Sequence, residues 1–197
     1  MTILRRADQE ESTPMPGGKL LTMAGASTGA AMATVGDLTV DPGVRSAYHL
    51  HPNTEEAIFV VEGEMEFRVG NARFRASAGD CVLAPKGIGH GLKNVGDSPA
   101  RMITIYPTAS PERETLQDVA YKDGAPPSTV YVRSNNEPYE FMAGVSRHDM
   151  VGDFLGAASL YLSELTFAPG SIAPNHYHPS HEESMFCLKG DLVAVYA

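Results

Sequence analysis

Short apolar runs alternate with turn-forming residues along most of the chain. In residues 65–69 apolar and charged side chains alternate strictly, a Gly70-Asn71 pair follows, and residues 72–76 resume the alternation. Successive side chains of a strand point to opposite faces, so this pattern is typical of a half-buried strand. Period-two patterning on both sides of a Gly-Asn dipeptide predicts a β-hairpin.

Other segments show the same character. Further strands are predicted at DLTV, EAIFVVEG, DCVLAP, ARMITIYP, STVYVR, SLYLSELTFAP and DLVAVYA, which are residues 37–40, 56–63, 80–85, 100–107, 128–133, 159–169 and 191–197. Turn residues recur about every 8–12 positions, a spacing typical of an all-β sandwich or barrel. The best helical candidate is the short segment 112–120.

The sequence also repeats itself. GVRSAYHLHPNTEEAIFVVEG at residues 43–63 aligns without a gap with GSIAPNHYHPSHEESMFCLKG at residues 170–190, every landmark being 127 positions apart. Such a match indicates an internal duplication. The polar, Pro-rich residues 107–129 are predicted to link a first β unit at 1–106 to a second at 130–197.

Composition and charge narrow the range of partners. Hydrophobic residues make up 43% of the 197 residues, charged residues 20%, and the formal net charge is −9. This argues against nucleic acid or an anionic membrane as a partner. Residues 20–36 are too polar for a membrane span and lie too far along the chain for a leader, so we expect a cytoplasmic protein. Cys81 and Cys187 lie in apolar runs and are predicted to be buried free thiols.

Candidate chemistry is concentrated in the histidines. His49 and His51 share one face of a strand, because residues i and i+2 project to the same side. Glu56 begins the next predicted strand, where an antiparallel return brings it beside them, and His90 can close the group from a neighbouring strand. Three imidazoles and a carboxylate suit one divalent transition metal, Fe, Mn, Ni, Cu or Zn.

These residues carry a family resemblance. The chain resembles the cupins, whose signatures are G(X)5HXH(X)3–4E(X)6G and G(X)5PXG(X)2H(X)3N. Here the first signature is filled by Gly43, His49, His51, Glu56 and Gly63, and the second by Gly79, Pro85, Gly87, His90 and Asn94. The resemblance implies a cupin antiparallel β-barrel (a double-stranded β-helix, jelly-roll-like) with His49, His51, Glu56 and His90 as metal ligands. The six-residue gap to Gly63 selects Glu56, so Glu55 is expected to face solvent.

The second half matches only the first cupin signature, so the chain resembles a bicupin with a partial second unit. His176, His178 and Glu183 are candidate ligands of a second metal, and the counterpart of His90 would stand at position 217. Two interpretations remain open: a three-ligand site similar to the 2-His-1-carboxylate triad, or a remnant of the duplication.

The resemblance implies a metal-dependent enzyme with a small organic substrate. Four protein ligands would leave two adjacent metal positions open to a substrate with vicinal oxygens. A dioxygenase is our first choice, with Glu56 as a proton acceptor as well as a ligand. The alternatives are a non-oxidative cupin (isomerase, cyclase or decarboxylase) and a non-enzymatic cupin that binds a small molecule or metal. Unpaired strand edges in a partial barrel also predict a homodimer.

The remaining residues are given structural roles. His148 and His181 are expected at the surface, and Arg45 is expected to be solvated although it shares the strand face of His49. Candidate walls of a ligand cavity are Ile58, Val60, Met65, Leu83 and Leu92, all of which are equally suited to barrel core.

Overall fold

The computed structural model describes residues 3–117, 120–124 and 126–195, and these residues are largely β structure. Strands are β1 Glu11–Met15, β2 Gly18–Ala24, β3 Thr34–Val40, β4 His49–Leu50, β5 Glu56–Glu62, β6 Glu64–Val69, β7 Ala72–Ser77, β8 Cys81–Ala84, β9 His90–Asn94, β10 Ala100–Tyr106, β11 Glu114–Thr115, β12 Lys122–Asp123, β13 Val130–Tyr131, β14 Tyr139–Met142, β15 Val145–Val151 and β16 Leu162–Phe167. Short 3₁₀ turns lie at Arg6–Asp8, Ala26–Thr28, Arg133–Asn135 and Asp153–Leu155. The all-β class is confirmed.

Two sheets form the barrel. The first has the strand order β1-β2-β3-β10-β5-β8-β13 and the second the order β11-β4-β9-β6-β7-β12. Neighbouring strands are antiparallel, apart from the parallel pair β12–β7. The predicted hairpin is confirmed, with Val69 opposite Ala72 across the Gly70-Asn71 turn. A third sheet, β14-β15-β16, belongs to the second unit.

The inner core fills the space between the two large sheets. Ile58 and Val60 of β5 contribute from the first sheet, and Met65 and Phe67 of β6 contribute from the second. Phe67 is 1% exposed and stacks on Phe74 with ring centroids 6.1 Å apart. Burial of such side chains contributes roughly 1.5–3 kcal/mol each, so this layer stabilises the barrel strongly.

A second core lies on the outer face of the first sheet. Ala57 and Phe59 of β5 pack there against Met150 and Val151 of β15. Because both faces of this sheet are buried at β5, residues 57–61 form a continuous apolar run instead of alternating. Leu83 also lies on this outer face, so its predicted place in the wall of an inner cavity is wrong.

The second unit repeats the architecture of the first. β15 lies 127 positions after β2, and the 3₁₀ turn Asp153–Leu155 lies 127 positions after Ala26–Thr28. Even an ion pair is repeated: Arg6 binds Asp37, and 127 positions later Arg133 binds Glu164. The duplication seen in the motif segment therefore extends over the strands that precede it.

Residues 171–195 form no strand. The counterpart of residues 191–195 in the first copy lies in β6, which is hydrogen-bonded between β7 and β9. The same positions in the second copy carry numbers above 197, so the described residues offer this segment no equivalent strand partners. Because a strand depends on a neighbouring ladder for its backbone hydrogen bonds, the strand predicted at 191–197 is wrong over 191–195, and residues 196–197 lie outside the described residues.

The connecting region differs from the prediction as well. The helix predicted at 112–120 is wrong over 112–117, which include β11, while residues 118–119 lie outside the described residues. Strands β11, β12 and β13 pair with β4, β7 and β8 of the first unit. The division at residues 106 and 129 stays a prediction, as does the homodimer.

No helix in the described part of the chain is long and apolar enough to cross a membrane. The cytoplasmic location stays a prediction.

Gly43 and Gly63 of the first signature show two different reasons why a position requires glycine: a left-handed backbone and a lack of space for a Cβ. Both have positive φ, +96° and +75°, but a Cβ on Gly63 would lie 2.7 Å from the Ala100 Cβ, whereas one on Gly43 would meet nothing within 4 Å. We expect Gly43→Ala to lower the free energy of unfolding by about 1–2 kcal/mol through left-handed backbone strain. Gly63→Ala should cost about 1–3 kcal/mol more through overpacking. Urea denaturation of both variants measures the difference, and equal losses would contradict this account.

Candidate metal centre

Four side chains meet at one end of the inner core. His49 of β4 lies directly opposite His90 of β9 in the strand register. His51 follows two residues after His49, and Glu56 is the first residue of β5, on the same inward face as Ile58. All four are buried, with exposures of 8%, 5%, 3% and 3% for His49, His51, Glu56 and His90. The structure therefore brings together the four residues that the sequence singled out.

The donor atoms converge on a small volume. One nitrogen of each imidazole and one oxygen of Glu56 all lie within 4.8 Å of one another. The Glu56 Oε2 atom is 3.1 Å from His51 Nε2 and 2.8 Å from His90 Nε2. The ring centroids of His49 and His90 are 4.4 Å apart.

Backbone carbonyls determine which ring nitrogen faces this volume. His49 donates its Nδ1–H to Ala47 O at 2.9 Å, and His90 donates its Nδ1–H to Ile88 O at 2.9 Å. His51 Nδ1 donates to the carbonyl of Glu112. A carbonyl oxygen only accepts, so Nδ1 carries the proton in all three rings and Nε2 of a neutral ring presents a lone pair inward.

The pKa values are shifted accordingly. Burial, reinforced by the neighbouring His90, lowers the pKa of His49 to about 4. Burial opposes ionisation of Glu56, but its hydrogen bonds with His51 and His90 outweigh burial and lower its pKa. Burial alone would also lower the pKa of His51, whereas the hydrogen bond to Glu56 raises it. At neutral pH the group thus holds a carboxylate and at least one neutral imidazole, the forms that bind metals.

The donor set fits a divalent metal ion. Three Nε2 lone pairs and a carboxylate oxygen are all acceptors, and acceptors forced together in a buried site need a cation or protons between them. The raised pKa of His51 shows that a proton can take this place next to Glu56. A metal ion would replace that proton, with the three Nδ1 hydrogen bonds orienting its ligands.

Tyr106 is a member of the site that the sequence analysis missed. Its hydroxyl donates to Glu56 Oε1 at 2.7 Å, which leaves Oε2 directed at the histidines. Burial and the negative charge of Glu56 raise the pKa of Tyr106, so the phenol keeps its proton as donor. The available signal was its strand parity: Tyr106 shares the inward face of β10 with Ala100 and Met102.

A strap from the connecting region crosses the site. Ser110 O and the Glu112 backbone N–H both bind the Asn53 side chain, at 2.9 and 3.0 Å. The carbonyl of Glu112 accepts from His51, and Glu114 and Thr115 then pair with β4. Residues 110–115 are therefore anchored on both sides of Arg113, whose charge acts on His49, His51 and Tyr106.

The second candidate group is only partly formed. His176, His178 and Glu183 have donor atoms within 4.8 Å of one another, but all three are exposed. His178 Nε2 lies 3.5 Å from Glu183 Oε2. His176 Nδ1 donates to Pro174 O at 2.9 Å, which repeats the His49–Ala47 contact of the first copy. Their role as ligands stays a proposal.

Several structural expectations were wrong. His148 of β15 is buried, and its Nδ1 is hydrogen-bonded at 2.7 Å to the hydroxyl of Tyr131 in β13. Glu55 is 4% exposed rather than solvated. Cys187 is exposed because its segment forms no strand, whereas Cys81 is buried as predicted. His181 and Arg45 are exposed as expected, and Ile58, Val60, Met65 and Leu92 all lie in the inner core.

Comparison with known proteins identifies related sequences. The family model described as a cupin domain matches residues 36–106, which contain all four residues of the buried group. The chain is 36% identical over 88 residues to polyketide synthase CurC of Streptomyces cyaneus, a match covering 44% of this chain and 57% of CurC. It is 36% identical over 74 residues to oxalate decarboxylase OxdC of Bacillus subtilis, covering 35% of this chain and 19% of OxdC. The chain thus spans less than two thirds of either relative.

Solved structures agree on the fold. A structure of the same oxalate decarboxylase, from a study of its Mn(II) centres, superposes with a TM-score of 0.51 at 27% identity, covering 57% of this chain and 31% of that chain. The polyketide cyclase RemF of Streptomyces resistomycificus superposes with a TM-score of 0.53 at 17% identity, covering 60% and 87%. Residues 36–106 therefore match the cupin domain family, and the barrel has the fold of these two solved structures.

Proposed function

We propose that this chain is a metal-dependent cupin enzyme acting on a small organic substrate, with His49, His51, Glu56 and His90 as the ligands of one divalent transition metal. The observation that carries the proposal is the buried convergence of imidazole Nε2 atoms on the Glu56 carboxylate, with every Nδ1 fixed by a carbonyl. The similarity to an oxalate decarboxylase with Mn(II) centres supports a divalent metal, and Mn, Fe, Ni, Cu and Zn all suit this donor set.

The residues around the group have separable roles. A bound metal would supply Lewis acidity, lowering the pKa of a coordinated hydroxyl or polarising a carbonyl. Tyr106 holds Glu56 Oε1, so that Oε2 faces His51 and His90. The proton-acceptor role of Glu56 stays a proposal, and it would use Oε1, which already receives the Tyr106 hydrogen bond.

The strap contributes to substrate binding in this proposal. Its contacts with Asn53 and His51 cover one side of the group and restrict access by water. Arg113 places a positive charge beside the histidines, which favours a substrate that carries anionic or oxygen-rich groups. A small acid or a molecule with vicinal oxygens meets this condition.

The reaction class has two candidates. The dioxygenase predicted from the sequence requires a redox-active metal and a substrate with vicinal oxygens. The similarity to a decarboxylase and to a polyketide synthase protein supports the alternative, a non-oxidative decarboxylase or cyclase on the same ligands. The partially formed second group at His176, His178 and Glu183 is proposed as a weaker metal site.

Metal binding tests the proposal directly. We expect the purified protein to bind Mn(II) or Co(II) tightly at about one ion per chain, and His90→Ala to weaken this binding by more than about 100-fold, because one of four ligands is lost. Isothermal titration and elemental analysis give the affinity and the ratio. His181→Ala, which removes an exposed histidine of the second copy, is the control and should keep the tight site. Wild-type protein that binds neither ion would contradict the proposed function. A ratio near two metal ions per chain would indicate that His176, His178 and Glu183 also bind a metal.

Tyr106→Phe tests the support of the carboxylate. Removing only the hydroxyl leaves Glu56 Oε1 without its donor, so we expect metal affinity to fall by about 10-fold while the barrel stays folded. Titration with Mn(II) and circular dichroism measure the two effects. Unchanged affinity would show that the Tyr106 hydrogen bond does not orient Glu56 for the metal.

Oxygen consumption separates the reaction classes. Fe(II)- and Mn(II)-loaded protein would be given catechol, which has vicinal oxygens, or oxalate, with dissolved oxygen and carbon dioxide measured together. Substrate-dependent oxygen uptake with catechol is the result expected for a dioxygenase. Carbon dioxide released from oxalate at constant oxygen would contradict the dioxygenase and support the non-oxidative alternative.

A further inference from the structure

Two glutamates join the first and second units reciprocally. Glu55 accepts the backbone N–H of Ala158 at 2.9 Å and that of Ser159 at 2.7 Å, one with each carboxylate oxygen. Glu182 accepts the backbone N–H of Ala31 and that of Met32, both at 2.8 Å, again one with each oxygen. Each unit thus supplies a carboxylate to a loop of the other.

The two contacts are copies of one contact. Glu182 lies 127 positions after Glu55, and the loop residues 158–159 lie 127 positions after 31–32, which is the offset of the duplication. A contact in which residue i of one copy meets residue j of the other, and the reverse also holds, is the signature of an isologous, two-fold interface. The duplication has therefore preserved a symmetric interface within a single chain. We call this pair of contacts the glutamate clasp.

The clasp is adjacent to the candidate metal centre. Glu55 and Glu56 are consecutive, so their side chains leave the backbone toward opposite faces. Glu56 points inward, where it contacts His51, His90 and Tyr106. Glu55 points outward, on the face where Ala57 and Phe59 pack against the second unit.

Because the Glu55 carboxylate is buried, it requires hydrogen-bond donors. Glu55 is 4% exposed, and a buried carboxylate is costly unless its oxygens are hydrogen-bonded. Both oxygens are satisfied by backbone N–H groups of the second unit. Charge-assisted bonds of this kind are roughly twice as strong as neutral ones. The backbone at residues 55–56 is therefore held from both faces.

From this geometry we infer that Glu55 is a positioning residue for the first site: the second unit fixes the orientation of Glu56 through the glutamate clasp. The inference rests on the proposed metal function, because it assigns Glu55 a role in the orientation of a proposed ligand. In this inference the second unit has a role, the positioning of Glu56, whether or not His176, His178 and Glu183 bind a metal. The reciprocal contact has the same arrangement. Glu182 directly precedes the candidate ligand Glu183 and is hydrogen-bonded to the loop at residues 31–32.

Glu55→Gln is the test variant. It keeps the side-chain volume but replaces one acceptor oxygen with an amide donor that faces a backbone N–H. We expect Co(II) affinity to fall by about 10-fold and the visible absorption spectrum of the bound Co(II), which reports ligand geometry, to change. Should this variant fail to fold, Glu55→Asp keeps the carboxylate with a shorter reach and is expected to show the same effects.

Two controls distinguish positioning from general destabilisation. Glu164→Gln makes the same chemical change in the second unit, where Glu164 binds Arg133 at 2.7 and 3.0 Å. Glu182→Gln breaks the reciprocal half of the clasp. Both should leave the Co(II) spectrum of the first site as in the wild type. A Glu55→Gln variant with wild-type affinity and spectrum, or a Glu164→Gln variant that alters them equally, would overturn the inference.

Hydrogen exchange separates this inference from the metal proposal. In metal-free protein, Glu55→Gln should speed amide exchange both in residues 157–160 and in residues 54–57. Exchange that rises only in residues 157–160 would overturn positioning whether or not metal binds. Failure of the wild-type protein to bind Co(II) would instead refute the proposed metal function. The coupling between residues 54–57 and 157–160 through Glu55 would still be measurable by hydrogen exchange.

Discussion

The structure depends on one constraint: strands β5 and β8 of the seven-stranded sheet are buried on both faces. Its inner face closes the barrel against the second sheet, and its outer face carries the second unit. Strand β5 lies within this sheet, so the alternation of its side chains separates two tasks. Inward residues build the core and the candidate ligand Glu56, whereas outward residues build the interface. A shift of one residue in register would exchange these tasks, which makes the register of β5 critical to both.

The chemistry at the buried group follows from hydrogen bonds that lie outside it. Carbonyls of Ala47, Ile88 and Glu112 fix the three imidazoles in one tautomer, and Tyr106 fixes the carboxylate. The group is thus preorganised as a set of acceptors before any cation is bound. Preorganisation of this kind lowers the entropic cost of metal binding, since the side chains are already ordered.

The sequence predicted residues that belong to a recognised motif, but it did not predict contacts between segments that are far apart in the chain. The four residues of the buried group were predictable because strand parity places His49 and His51 on one face and the two signatures fix the spacing of Glu56 and His90. Tyr106 and the contact of Glu55 with residues 158–159 were not, since each depends on pairing between distant segments. The strand predicted at 191–197 is an error of the opposite kind, a predicted element that is not formed. An apolar alternating pattern favours a strand, but the strand also requires a neighbouring strand for its backbone hydrogen bonds. His148 of β15 was misplaced because it contacts Tyr131 of β13, a contact between strands that its own segment does not indicate.

Strand β13 has a consequence for how the molecule folds. Val130 and Tyr131 open the second copy of the repeat, yet they pair with β8 and complete the sheet of the first copy. Val130 packs into the inner core and Tyr131 into the outer one. The repeated segment and the packed barrel therefore have different boundaries. Because hydrophobic surface of the first copy is covered by residues of the second, we expect the two halves to unfold as one cooperative unit.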